Sequence, residues 1–221
     1  MNYTLLAKSP LFSGFTEDEI AKLFDDHHID YSVKEYKKNE TIYFSGDNVA
    51  NMGLVLSGSV SIENDDAWGN KSILSKVGIG EIFAEVYALL DKSPILVNVV
   101  SLEKSTVLFI NCRNLINKNG YLFPETQILI KNLLIISAHK NRNLSRKIFD
   151  TSSKSIRGRL ISYLSFESTR ANSKEFDIKF DRQQLADYLN VDRSALSAEL
   201  SKMKADGYID YYKNKFILKE I

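Results

Sequence analysis

The chain has 221 residues, 44% hydrophobic and 26% charged, with a net charge of +1, which suits one large or two small globular domains. Its single cysteine, Cys112, excludes an intrachain disulfide, a cysteine-only zinc site and a four-cysteine iron–sulfur cluster. The start, MNYTLLAKSPLFSGF, lacks the basic and long apolar segments of a signal peptide, and no run reaches the 18 or so apolar residues of a membrane span. A cytoplasmic location without membrane attachment is therefore expected.

In chain order, FTEDEIAKLF opens with Thr16 three residues before Glu19, a capping box ahead of Ile20, Leu23 and Phe24, and predicts a short helix. From about residue 29 the pattern changes to short β-rich runs broken by Gly, Asn and Asp: IDYSV, ETIYFSGD, MGLVLSGSVSIE, KSILSKVG and ILVNVVSLEKSTVLFI. Such spacing predicts a closed or sandwiched antiparallel sheet, ending near Asn111. GIGEIFAEVYALLD, between two strands, predicts a short helix after a Gly-rich turn.

Residues 124–149 predict one long helix, with Pro124 at its start and no internal Gly or Pro. Its first half is apolar nearly all round. Ile130, Leu134, Ser137, Asn141, Leu144 and Ile148 advance by 4, 3, 4, 3, 4, the spacing of a coiled-coil seam, and mark the expected dimer interface. A helix buried in a monomer is the alternative. Residues 131–159 carry eight Lys or Arg (Lys131, Lys140, Arg142, Arg146, Lys147, Lys154, Arg157, Arg159) against the single acid Asp150, an excess that suits phosphate or simply a solvated face.

DTSSKS, 150–155, reads as a polar break and hinge before a helix SIRGRLISYLSFES, and FDIKF, 176–180, as a strand. DRQQLADYL begins with a second capping box, Asp181 to Gln184. Two apolar helical stretches then meet at Asn190-Val191-Asp192, the second starting at Arg193 and ending at Gly207. A helix of about eight residues, a three-residue turn and a second helix form a helix-turn-helix unit. Leu185, Leu189, Val191 and Leu196 fill its angle, Ala186 is small at the crossing, and Asn190 tolerates left-handed backbone. YIDYYKNKFIL closes the chain as a hairpin turning near Asn214, a wing. The N-terminal residues of a second helix meet base edges in the major groove; here these are Arg193, Ser194 and Ser197, with Arg193 suited to guanine O6 and N7. Arg182, Gln183 and Ser201 complete the expected DNA-binding set, and Arg157, Arg159, Lys202 and Lys204 are the expected phosphate contacts. A packing motif without ligand is the bland alternative.

The chain resembles the CRP/FNR family of bacterial transcription regulators over about residues 5 to 221. The carrying residues are Gly46-Asp47, LVLSGSV (54–60), GEIFAE (80–85), RGRLISYL (157–164) and RQQLADYLNVDRSALSAELSKMKADGYI (182–209). The resemblance implies an α+β chain: an N-terminal double-stranded β-helix, a jelly roll of the cyclic-nucleotide-binding type (1–123), a long dimerisation helix (124–150) and a C-terminal winged helix-turn-helix (151–221). It implies a homodimer on double-stranded palindromic DNA, and it allows RNA polymerase and a small-molecule effector as partners. Two departures matter. Many relatives carry Arg where Ala198 stands, and an apolar residue is frequent where Glu199 stands.

In cAMP-binding members a Gly-Glu on a short helix and a downstream Arg-Ser hold the nucleotide. The matching residues here are Ala84-Glu85 and Ile95-Leu96. The Glu that would take the ribose survives, but the phosphate's cation is absent, and an anion left unpaired costs several kcal/mol, about 3–5. Lys92 stands nearby and is expected to be solvated. The expectation is a member unresponsive to cAMP, with Glu85, Tyr87, Ile95, Leu96 and Val97 around a pocket for an uncharged ligand or none. No cofactor or metal is expected: the histidines are His27, His28 and His139, and the adjacent pair makes a poor metal site. Cys112 reads as a buried inert thiol, with a redox role as the alternative. No GxSxG, HExxH or Walker loop occurs, so no enzyme is expected. A regulatory module acting through a protein partner, with weakened DNA reading, is the competing function.

Overall fold

The computed structural model describes residues 2–25, 29–65, 71–90, 93–116 and 124–219; His27, His28 and Lys92 fall outside them. The chain divides into two compact units, Met1–Ser137 and Ala138–Ile221.

The first unit begins with helix α1 (Tyr3–Ala7), a 3-10 turn (Pro10–Phe12) and helix α2 (Glu17–Asp25). The capping box forms as expected: Thr16 donates from its amide and hydroxyl to the Glu19 carboxylate, and the Glu19 amide donates back to Thr16 Oγ1. Those bonds, the Thr16 amide first, hold the Glu19 carboxyl below its usual range. Eight strands follow: β1 (Tyr31–Tyr36), β2 (Thr41–Tyr43), β3 (Asn51–Ser57), β4 (Val60–Asp65), β5 (Lys71–Val77), β6 (Ile82–Phe83), β7 (Asn98–Ser101) and β8 (Ser105–Asn111). They form two four-stranded antiparallel sheets, ordered β1-β8-β3-β6 and β2-β7-β4-β5. Alternation puts Leu54, Val60, Val99, Leu108 and Ile110 in a core shared with Phe12, Phe24 and Phe83. The Phe83 ring lies 2.1 Å from where a Cβ on Gly53 would sit, so only glycine permits β3 and β6 to approach this closely.

The run ILVNVVSLEKSTVLFI divides into β7 and β8, and Ile95 to Val97 lie outside both strands. Ile95 is held by its backbone, which accepts from the Gly46 amide (2.7 Å) and donates to the Asp47 carbonyl (2.9 Å).

Between β6 and helix α3 (Glu85–Leu89), Ala84 adopts left-handed backbone, φ 60 and ψ 10. This is the position where the resembling family carries glycine. An L-residue pays about 1–2 kcal/mol there. Ala84→Gly is therefore expected to stabilise the first unit by about 0.5–1 kcal/mol after the added unfolded-state entropy, read as a higher urea midpoint by far-UV circular dichroism; a lower midpoint would contradict the strain.

Helix α4 (Cys112–Ile116) follows β8, and helix α5 (Pro124–Ser152) carries the chain out of the first unit. Leu129, Asn132 and Leu133 are buried in that unit, and the Asn132 amide donates to the carbonyls of Leu11 (2.9 Å) and Ser13 (2.8 Å).

The second unit contains the end of α5, then α6 (Ile156–Ala171), β9 (Glu175–Asp177), α7 (Arg182–Leu189), α8 (Arg193–Ala205), β10 (Ile209–Tyr212) and β11 (Lys215–Leu218). Leu160, Tyr163, Leu164, Leu185, Leu189, Leu196, Leu200, Met203 and Phe216 make its core. The second capping box also forms, with Asp181 and Gln184 exchanging bonds. Asn190 takes left-handed backbone at the turn (φ 55) and Ala186 is fully buried. At the end of α8, Gly207 (φ +85) donates to the Lys204 carbonyl and Tyr208 to that of Met203, a Schellman stop. The wing is a three-stranded antiparallel sheet, β10-β11-β9.

Two boundaries differ from expectation. The polar break does not start at Asp150: α5 continues through Ser152, and Ser155 caps α6 through the Gly158 amide (3.0 Å). The strand expected over 176–180 covers only Glu175–Asp177, and the Ile178 amide instead donates to the Asn214 carbonyl (2.9 Å).

Candidate functional site

Helix α8 starts at Arg193 because Asp192 caps it. One Asp192 carboxylate oxygen accepts from the Ser194 hydroxyl (2.5 Å) and the amides of Ser194 (2.8 Å) and Ala195 (3.0 Å). These bonds, the hydroxyl first, keep the carboxyl well below its usual range, so the cap stays charged against the helix dipole. The Arg193 side chain is exposed and has no ion-pair partner among the described residues. The Ser197 hydroxyl donates to the Arg193 carbonyl (2.9 Å) and that of Ser201 to the Ser197 carbonyl (3.0 Å), leaving lone pairs free to accept. Lys202 and Ala198 are exposed on the same helix, and Gln183 of α7 donates to Asp187 (2.8 Å).

The other basic candidates are committed within the unit. Arg157 reaches Glu199 with Nε (2.5 Å) and Asp206 with Nη2 (2.7 Å), its guanidinium 5.5 Å from the Tyr208 ring centroid. This explains Glu199 at a position where an apolar residue is frequent: the carboxylate meets an arginine from α6. Arg159 donates to the carbonyls of Ser153, Leu189 and Asn190 (2.8, 2.9 and 2.9 Å), which closes the C-terminus of α7. Arg182 lies over Tyr211 and Phe216 and donates to the Lys213 carbonyl (3.1 Å). Lys204 pairs with Asp210 (2.5 Å). The donors expected to meet phosphate at Arg157, Arg159 and Lys204 thus already have protein partners, whereas the side chains of Arg193 and Lys202 have none among the described residues. The wing forms as expected, and its tip carries residues outside the expected DNA-binding set: Tyr212 is 74% exposed and Lys213 sits exposed at the turn with φ 52. Two residues, 213–214, separate β10 from β11 at the turn that the sequence places near Asn214.

The stripe on α5 is exposed where it was expected to meet a partner. Leu134 (69%), Leu144 (64%) and Ile148 (66%) are exposed, with half-buried Ser137 and exposed Asn141 between them and half-buried Ile130 before them. Phe149 flanks the stripe at 65%.

The expected effector residues do not share one environment. Ile95 is fully buried in the β-sheet core, which Tyr87 and Val97 join as half-buried members. Glu85 is buried at the start of α3, and Leu96 is 67% exposed. Burial pushes the Cys112 thiol up to about 12, so at neutral pH it is an inert protonated group and the redox alternative has no support. Among the described residues no three His, Cys, Asp or Glu side chains cluster as metal ligands, and no helix is long and apolar enough to cross a membrane.

An antiparallel two-sheet domain followed by a winged helix-turn-helix, its second helix capped and carrying exposed polar side chains, is the arrangement of a DNA-binding regulator. Residues 33–118 match the family model of the cyclic nucleotide-binding domain, and residues 158–221 that of the Crp-like helix-turn-helix domain. The cyclic AMP receptor protein of Thermus thermophilus is 26% identical over 192 residues, 86% of this chain and 78% of that one. Among solved structures, the Thermus thermophilus catabolite activator protein is 21% identical with a TM-score of 0.51, covering 96% of this chain and 94% of its own. CprK in complex with OCPA is 14% identical with a TM-score of 0.62, covering 90% and 91%. The c-di-GMP responsive global regulator CLP of Xanthomonas campestris is 18% identical with a TM-score of 0.55, covering 91% and 98%. The chain belongs to the CRP/FNR family of transcription regulators.

Proposed function

We propose that two copies of this chain pair along α5 and read a palindromic operator, one α8 per half-site, and that cAMP does not control them. The observation that carries the reading is Arg193, an exposed guanidinium without an ion-pair partner among the described residues, at the first position of a capped helix after a helix-turn-helix angle. In this reading residues 1–123 form the effector domain, α5 the dimer helix, and the remainder the DNA-binding domain. Arg193, Ser194 and Ser197 meet bases; Lys202 and the wing-tip Lys213 meet phosphates. Selection from random duplexes followed by a shift assay tests it. The expected product is a palindrome with half-sites about one helical turn apart. Failure to select any site would move the protein-partner reading ahead, which Ala198, exposed where relatives place a DNA-reading arginine, favours.

The cAMP statement rests on the family position that pairs the cyclic phosphate. A cation is needed there, since a buried phosphate without one lacks its charge-assisted bonds. Ile95 fills that position and is fully buried in the core. Titration calorimetry with cAMP is expected to give no saturable heat, and operator affinity to be the same with and without the nucleotide. Micromolar binding would contradict this and assign the phosphate to another donor.

A further inference from the structure

Asp150, read from sequence as part of a break, is a fully buried carboxylate with a complete set of partners. Oδ2 accepts from Arg146 Nε (3.0 Å) and the Tyr188 hydroxyl (3.0 Å); Oδ1 accepts from the Ser162 hydroxyl (2.8 Å) and from Arg146 Nη2. Arg146 Nη2 also donates to the Ser162 carbonyl (2.8 Å), and the guanidinium lies 4.1 Å from the Phe166 ring centroid. Arg146 and Asp150 belong to α5, Ser162 and Phe166 to α6, and Tyr188 to α7. One carboxylate therefore binds three helices at one point.

We propose that Asp150 is a positioning residue for DNA binding, which fixes the direction in which the helix-turn-helix unit leaves the dimer helix. The proposal rests on the dimeric-regulator reading above. Apolar contacts between helices are non-directional and permit sliding. Hydrogen bonds to a carboxylate are directional, and a buried carboxylate that loses one donor leaves an acceptor unsatisfied, so the donors hold together. Asp150 follows the stripe residues Leu144 and Ile148 on the same helix, within two turns. The element that carries the proposed seam is thus bonded directly to α7, and α7 is packed against α8 through Ala186, Leu189 and Leu196. In a two-fold dimer a small tilt of α7 on α5 changes the separation of the two α8 helices, and with it the half-site spacing that fits.

Tyr188→Phe is the cleanest variant. The ring packs between Tyr163 and Phe180, at centroid distances of 5.5 and 5.0 Å, and would remain, while only the hydroxyl to Asp150 is lost. Ser162→Ala removes a second donor. The experiment measures affinity for the selected palindrome, for palindromes with one base pair added or removed between half-sites, and for a single half-site. Wild type is expected to prefer one spacing. Tyr188→Phe is expected to reduce that preference about tenfold, the effect of one hydrogen bond to a charged group, with half-site affinity within about twofold of wild type, since α8 is intact. Asp150→Asn should flatten the preference further. An unchanged spacing preference would overturn the proposal, as would parallel losses on half-site and palindrome, which signify loss of the fold.

A second measurement needs neither DNA nor a dimer. Spin labels at Arg142→Cys on α5 and Lys202→Cys on α8, both exposed, in chain diluted with an excess of unlabelled chain so that labelled chains seldom pair, report their intrachain distance by electron–electron resonance while the buried Cys112 stays inert. A narrow distribution that broadens with Tyr188→Phe supports the latch, and equal widths overturn it. Should wild type bind no DNA, the regulator reading fails on the first measurement, and the latch is judged on the second.

Discussion

Arg193→Ala is expected to collapse the ratio between affinity for the selected operator and affinity for random DNA. A bidentate arginine–guanine pair discriminates by about 1–3 kcal/mol, and a dimer on a palindrome loses it twice. Arg193 is the residue to carry this. It is the first residue of α8, it is exposed, and the Asp192 cap beneath it is satisfied by Ser194 and Ala195, not by the guanidinium. Lys202→Ala is the control. Lys202 lies about two and a half turns further along the helix, exposed, and losing a phosphate contact weakens all sequences alike while lowering the salt slope by about 0.9 per protomer. Lys204 would be a poorer control, because its removal also unpairs Asp210. Shift titrations at several salt concentrations separate the two signatures. An unchanged specificity ratio in Arg193→Ala would mean that another residue reads the bases.

Leu134→Asp is expected to convert the protein from a dimer to a monomer at micromolar concentration. Leu134, Leu144 and Ile148 are each about two-thirds exposed in the single chain, at seam spacing on a 29-residue helix. Exposed leucines and isoleucines at regular spacing are uncommon unless a partner covers them. A carboxylate placed at the seam faces its symmetry mate, so two charges would lose water at once. Sedimentation of the wild type should give about twice 25.2 kDa, and of the variant the single mass. Two species of equal, single-chain mass would refute the seam. Ser137 and Asn141 are its polar members, and such groups fix register at some cost in stability.

The capping boxes at Thr16 and Asp181, the left-handed Asn190 and the stop at Gly207 were legible because each is a local bond pattern, set within four residues. The helix-turn-helix angle was legible for the same reason. The state of the basic residues was not. Arg157 meets Glu199 and Asp206 across 42 and 49 positions, and only the packing of α6 on α8 decides that its guanidinium turns inward. Asp-Thr-Ser-Ser has turn composition, so the sequence alone points to a break starting at Asp150. Donors from α6 and α7 override that local preference and keep the helix wound through Ser152. The effector residues were placed by resemblance alone, and the alternation that buries Ile95 and exposes Leu96 arises in a segment outside the strands, where no periodicity signals it.

The central claim is that a symmetric dimer places one α8 in each half of a palindrome, and the mass of the complex tests it most directly. Sedimentation of the wild-type chain with its selected duplex at physiological salt should give two protomers per duplex, and a duplex carrying one intact half-site should bind far more weakly. One protomer per full palindrome, or equal affinity for the half-site and the whole, would contradict the account.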